Sequence, residues 1–297
     1  PHRLIRRQRQ MCIRDSFPTR DMPGDRVQIR DWAQAAEELG FDYIEVSDHV
    51  LGADREKIPG FEGPYDVDDS FHETFTTIAY MAAVTEKVGF ASGVLILPQR
   101  QTALVAKQAA QVDVLCGGRL RLGVGVGWNP VEYEALGEEW SKRGRKQEEQ
   151  VQLMKRYWTE RTVTFDGEFD RVAHAGIKPM PIQQPIPIWF GGGVDAVLKR
   201  AARHGDGWIP LGNPGRGSMA MLEKLHGYLA EEGRDPASFG IEAWIRYSLG
   251  GGEEWRRAVD TWRSNGASHA TFYTSGQGAG GLDQQIDAMR QFMDAMK

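Results

Sequence analysis

Strand-like and helix-like patterns alternate along this chain from end to end, and that alternation leaves few folds open. Arg26 to Leu39 carries a helical apolar stripe closed by Gly40, a usual C-terminal stop. Phe41 to Val46 reads as a strand that ends in Ser47-Asp48-His49. A polar, Gly- and Pro-bearing loop then covers 51–72, a length that in compact domains marks a lid or binding loop. The alternation continues with a helix over Glu73–Glu86 and a strand over Val88–Leu97. A helix over Thr102–Leu115 and a glycine-rich strand at 119–126 come next, then a long helix from about Lys142 to Thr159. Asp166-Gly167 after Val163–Phe165 suggests a hairpin, and four prolines between Pro179 and Pro187 an extended crossing. Strands at Ile186–Phe190, Gly207–Leu211, Phe239–Tyr247 and Ala267–Tyr273 each lead into a further helix. These are placed at Val194–His204, Arg216–Glu232, Glu253–Ser264 and Asp283–Met296. Seven strands are clear after Phe17, and an eighth is expected before Arg26, where only Phe17-Pro18-Thr19 stand. Eight βα units predict an α/β (β/α)8 TIM barrel with an insertion after the fourth strand and a first strand truncated or replaced. A doubly wound open sheet is the alternative, but no G-x-G-x-x-G stands in register with a helix.

The first sixteen residues are expected to be foreign to this fold. Residues 6–16, RRQRQMCIRDS, match codon for codon a translated transposase adapter of sequencing libraries, and segments of that kind are set aside before fold reasoning. The expected division is therefore 1–16, non-native, and 17–297, a single barrel domain. Five arginines against Asp15 give residues 1–16 a net of +4, so the −5 of the whole chain becomes −9 for the remainder. An acidic domain argues against a nucleic-acid partner. Setting Cys12 aside leaves Cys116 alone, which excludes an intrachain disulfide and suits a reducing, cytoplasmic setting. No apolar run is long enough to span a membrane.

In such a barrel, function sits at the carboxyl ends of the strands. Gly123, Gly125 and Gly127 share one face of RLRLGVGVGWNPVEYEALG (119–137), where each glycine weakens the strand. Close approach of a flat ligand explains them; tight packing of a neighbouring strand is the other reading. Trp128 follows, either as a pocket wall or as rim core. Asp48 and His49 can orient a ligand or exchange a proton, because histidine titrates near pH ~6.5; a structural Asp-His cap is equally open. Gly93 interrupts an apolar strand, as a bulge or packing contact does. Gly191-Gly192-Gly193 before a helix favours a phosphate. Arg143 and Arg145 add charge at a helix start, for a phosphate or acidic tail or merely for solvent. The seven histidines show no His-x-x-x-His spacing, and no Gly-x-Ser-x-Gly elbow occurs, so no metal is expected and a cofactor must carry any difficult chemistry.

The chain resembles the luciferase-like monooxygenase superfamily and, within it, the coenzyme F420-dependent oxidoreductases. The resemblance runs from Phe17 to Lys297. It rests on Gly40-Phe41-Asp42 with Ser47-Asp48-His49, Leu97-Pro98 with Lys107-Gln108, LGVGVGWNPVEYEALG, Arg143-Gly144-Arg145, and Pro181-x-x-x-Pro-x-Pro-Ile-Trp-x-Gly-Gly. It implies a flavin or deazaflavin in the barrel mouth. Asp48 would contact the cofactor, His49 would do acid/base work, Gly93-Val94 would form a bulge, often with a cis peptide, against the central ring, and Gly192 and Gly193 would hold phosphate. A homodimer is implied as well. In the sugar-phosphate dehydrogenases of this family a catalytic Glu follows the strand-four glycines; here that place is Trp128, which suits an apolar or aromatic substrate better. The leading expectation is hydride transfer between F420 and a small organic molecule, with site residues Asp48, His49, Gly93, Val94, Gly125, Gly127, Trp128, Arg143, Arg145 and Gly191–Gly193. An FMN-dependent, oxygen-using monooxygenase is the second reading, and a flavin-binding protein without turnover the third.

Overall fold

A computed structural model describes residues 11–22 and 24–297. Residues 1–10 of the expected foreign segment lie outside the described residues. Eight parallel staves close on themselves. They are β1 (Cys12–Ser16), β2 (Tyr43–Val46), a third stave made of β3 (Gly89–Ser92) and β4 (Leu95–Ile96), and β5 (Leu120–Gly125). After β5 come a separate antiparallel hairpin, β6 (Val163–Asp166) and β7 (Arg171–Ala175), and then β8 (Ile188–Gly191), β9 (Gly207–Ile209), β10 (Gly240–Arg246) and β11 (His269–Tyr273). β11 pairs with β1, and β3 with β5, so the ring has no open edge. The insertion after the fourth stave holds the Arg143–Thr159 helix and the β6–β7 hairpin.

Local chemistry explains why the helices begin and end where they do. Asp25 caps the Arg26–Leu39 helix by accepting from Val27 N, and Gly40, at φ 89°, ends it in the left-handed region that only glycine enters without penalty. Glu73 caps the Thr74–Ala83 helix through Thr76 N. The Thr102–Leu115 helix keeps its sequence-predicted bounds. Between barrel and helices lies an apolar layer in which Phe17 meets Trp32 edge-on at 5.3 Å and Phe272 stacks on Phe292 at 4.2 Å. Among the described residues, no helix is long and apolar enough to cross a membrane.

The place of the first strand is filled rather than truncated. Cys12–Ser16 pairs with both neighbours, yet its side chains fit poorly. Arg14 turns into the barrel, where it and Arg121 each reach Glu242 Oε2 at 2.5 Å, while Thr271 donates to the other oxygen. Glu45, beside them, is buried with both oxygens unpartnered; burial, then the Glu242 charge, pushes its carboxyl well up. Asp15 faces the opposite way, level with Ile44 and Phe272, in the apolar layer. Neither of its oxygens has a side-chain partner, and burial, offset only in part by the Ser16 backbone N–H, pushes its carboxyl well above the usual range.

Candidate active site at the barrel mouth

The strand ends gather the site. β2 runs into His49, whose Nδ1 lies 3.1 and 3.2 Å from the two oxygens of Glu132. Glu132 stands in the first turn of the short Pro130–Ala135 helix, which Asn129 caps through Val131 N. Its carboxylate is fully buried and also accepts from Val50 N (2.7 Å) and Leu51 N (3.1 Å), with Gln99 Nε2 at 3.4 Å. Burial pushes the Glu132 carboxyl up, but the hydrogen bond and charge of His49 and the N–H groups of Leu51 and Val50 outweigh it. The net effect holds the group below its usual range, as an ionised acceptor.

An aromatic wall encloses the imidazole. Tyr65, Phe71 and Trp128 lie 5.3, 4.8 and 5.5 Å from it between ring centres, and Phe61 packs on Trp128 at 5.8 Å. Three of these four rings come from the 51–72 loop. Arg20–Asp69 (2.5 Å) fastens that loop to the end of β1, and Tyr65 Oη lies 3.3 Å from Tyr273 Oη. The long loop therefore acts as a wall of the site. Trp128 takes the wall role and not the rim-core one.

The third stave breaks at a cis Gly93–Val94 peptide bond. Val94 packs against a small apolar cluster of Trp189, Ile209, Trp244 and Tyr273, which makes the floor of the mouth. Leu211, at φ 56°, joins the same cluster. A non-glycine residue held there is strained, and strain of this kind gathers at functional sites.

The glycine faces need correcting against the flat-ligand reading. A Cβ on Gly125 would come 2.5 Å from Val94 Cγ2, and one on Gly123 2.1 Å from Ser92 O. Gly127, at φ 67°, is filled by Ile96, and Gly191 again by Val94. The glycines admit the third stave, with its Val94 and Ile96. Gly93 in turn clears Glu45, whose Cδ would lie 2.0 Å from an added Cβ.

Asp48 also holds a different place from the one expected. Its carboxylate accepts from Ile96 N (2.9 Å), Thr74 Oγ1 (3.2 Å) and Arg100 Nη2 (2.7 Å). All three donors belong to the frame, so the Asp48 carboxylate pins the strand break. Arg145 points to the surface and pairs with Glu168 at 3.0 Å, which removes it from the site. Arg143 stacks on Trp140 at 3.6 Å and leaves its Nε buried without a partner.

Gly191–Gly193 end β8 and lead into the Asp195–His204 helix, which has no side-chain cap. That helix carries Arg200, packed against Gly144 in the Arg143 turn. Burial, and the charge of Arg143 set against Glu148, hold the Arg200 guanidinium below its usual value. Two crowded guanidinium groups, an unpartnered Nε and an uncapped helix start fit an anionic arm such as a phosphate. The apolar floor with Val94, together with the buried, unpartnered Trp244 Nε1, fits a flat heterocycle that brings its own acceptors. Among the described residues no His/Cys/Asp/Glu group is arranged for a metal.

Sequence reasoning missed Glu132, Tyr65, Tyr273, Trp244 and Arg200. Glu132 sits three residues after a capping Asn, where an acidic residue suits a helix start, and nothing local marks it as buried.

Comparison with known proteins shows the family of this barrel. The family model of luciferase-like monooxygenases matches residues 12–292. An FMNH2-dependent dimethylsulfone monooxygenase of Pseudomonas putida is 33% identical over 220 residues, 73% of this chain and 57% of that protein. An F420-dependent glucose-6-phosphate dehydrogenase of Kineococcus radiotolerans is 30% identical over 247 residues, 80% of this chain and 67% of that protein. An F420-dependent secondary alcohol dehydrogenase, solved with an F420–acetone adduct, superposes with a TM-score of 0.77 at 16% identity, covering 97% of this chain and 99% of that one. Both cofactor classes thus stand among the relatives of this barrel, and the chain belongs to the luciferase-like monooxygenase family.

Proposed function

We propose that this chain is an oxidoreductase that passes a hydride between coenzyme F420 and a small apolar or aromatic molecule, with His49 as the proton donor or acceptor. The observation that carries this is His49 itself, held at the mouth by a buried carboxylate and walled by aromatic rings. Bound deazaflavin would supply two-electron hydride chemistry. Val94, Trp244 and the Gly191–Gly193 turn would hold its ring and phosphate, and Arg143 with Arg200 its anionic arm. The aromatic wall would stack a flat or apolar substrate and exclude water, which strengthens each electrostatic contact inside. Reduction of a carbonyl-type substrate takes up one hydride and one proton, and His49 is the group placed to give that proton; oxidation runs the same steps backwards. Likeness to F420-dependent relatives supports this reading.

A second reading rests on the completeness of the aromatic enclosure and on the dimethylsulfone relative. In it the mouth holds reduced FMN, and the excluded water protects an oxygen-using reaction. Fluorescence-quenching titrations with F420 and, separately, FMN test the two. Tight binding of F420 alone supports hydride transfer, and preference for FMN moves the assignment to a monooxygenase. Substitution of His49 by Ala then tests the proton role: turnover should fall by about 100-fold with cofactor binding kept. Unchanged turnover would remove His49 from the chemistry. Complete lack of turnover in the parent chain, with a cofactor bound, would favour a flavin-binding protein. A homodimer belongs to the same proposal and is read by light scattering.

A further inference from the structure

We infer that Glu132 is the positioning residue of this site: it takes the Nδ1 proton of His49, fixes the imidazole tautomer, and leaves Nε2 as the only nitrogen that exchanges a proton with substrate. The inference rests on the proposed proton role of His49 and adds a role for Glu132 that neither the family match nor the sequence motifs assign.

The geometry supplies the argument. Three consecutive residues, 49–51, converge on one carboxylate: an imidazole nitrogen and two backbone N–H groups. Both backbone donors use Oε1, and Gln99 approaches Oε2, so the carboxylate plane is fixed from both sides. An ionised carboxylate only accepts, so a nitrogen 3.1 Å away must carry the hydrogen. Nδ1–H is then the occupied end. Among the described residues Nε2 takes no protein hydrogen bond, so it is the end left free for exchange. Asn129 caps the helix through Val131 N and donates to Leu51 O at 3.3 Å, which ties the Glu132 turn to the strand corner.

The other groups packed on the ring do not compete for Nδ1. Among the described residues no hydrogen bond joins Phe71 or Trp128 to the imidazole, and Tyr65 packs on the ring edge-on with its hydroxyl directed to Tyr273. Asp48, next in the chain, is committed to Arg100, Thr74 and Ile96. Burial, followed by the neighbouring Tyr65, pushes the Tyr273 phenol up, so it stays protonated through the neutral range. Removing a carboxylate that orients an imidazole in this way typically changes activity by ~10- to 100-fold.

The test is the tautomer of His49, read by long-range 1H–15N correlation on the full chain labelled at histidine, without cofactor. The expected result is the Nδ1–H form when His49 is neutral. In Glu132→Gln the amide oxygen can stay on Val50 N and Leu51 N, which turns the –NH2 toward the imidazole. Nδ1 must then accept, and the tautomer should switch to Nε2–H. Glu132→Asp keeps an acceptor and should retain the parent tautomer. With cofactor bound, Glu132→Gln should lower kcat by ~10- to 100-fold and move the pH profile, with KM for cofactor little changed. An Nε2–H tautomer in the parent chain overturns the inference, and that reading needs no variant to fold. An unchanged tautomer and pH profile in Glu132→Gln also overturn it. Normal turnover of His49→Asn would instead sink the proton role of His49, and the tautomer experiment would still decide what Glu132 does.

Discussion

Two carboxylates, Asp15 and Glu132, show how environment decides the role of one chemical group. Asp15 lies level with Ile44 and Phe272 with no side-chain donor, so the folded chain favours its protonated form. Its folded pKa is raised, so the fold holds a proton that the unfolded chain has released above pH ~4, and stability falls as pH rises out of the carboxylate range. Replacing Asp15 with Val should raise stability at neutral pH by about 1–3 kcal/mol, a few degrees in a thermal melt. A lowered midpoint would mean that the carboxylate has a partner and that β1 suits this barrel. Glu132 is the opposite case. Its folded pKa is lowered, so its contribution is present above pH ~4.3 and is lost as pH falls through the lower folded value. Glycine is equally sharp at this scale. Gly93→Ala should cost about 1–3 kcal/mol, because the added methyl meets buried Glu45, and urea titration reads the loss directly. The sequence shows where these glycines are but not what fills their space. Val94 Cγ2, Ser92 O and Ile96 reach Gly125, Gly123 and Gly127 from another stave, and no local spacing encodes that contact.

At the level of elements, the parts legible in the sequence are those with local signals. The helices at Arg26–Leu39 and Thr102–Leu115 carry their own periodicity, and a cap or a stop fixes the ends of the first. The Val88–Leu97 stretch reads as one strand, but it is two short ones divided at Gly93–Val94. Asp48 holds that division from β2, through Ile96 N and Arg100. Asp48→Ala should leave the partly buried Arg100 and the Ile96 N–H without their acceptor. We expect a loss of about 2–3 kcal/mol, with weakened cofactor binding as the floor at Val94 loosens. A variant of unchanged stability would show that Asp48 is free to face the mouth after all. The 51–72 loop is legible as a functional loop by its length alone. That it contributes three aromatic rings around His49 depends on the Arg20–Asp69 and Tyr65–Tyr273 contacts, which span 49 and 208 residues of chain.

For the whole molecule, the barrel follows from eight repeats of one pattern, and closure puts every strand end on one rim. The proposed chemistry then depends on what that rim can hold: an apolar floor at Val94 and Trp244, paired guanidinium groups at Arg143 and Arg200, and a proton carrier at His49. The measurement that tests this most directly is the fluorescence titration of the purified chain with F420, run beside FMN under the same conditions. Saturable quenching of F420 with weaker or no binding of FMN is the predicted result. Binding of FMN alone would contradict the hydride-transfer account, and binding of neither would remove the barrel mouth as a cofactor site.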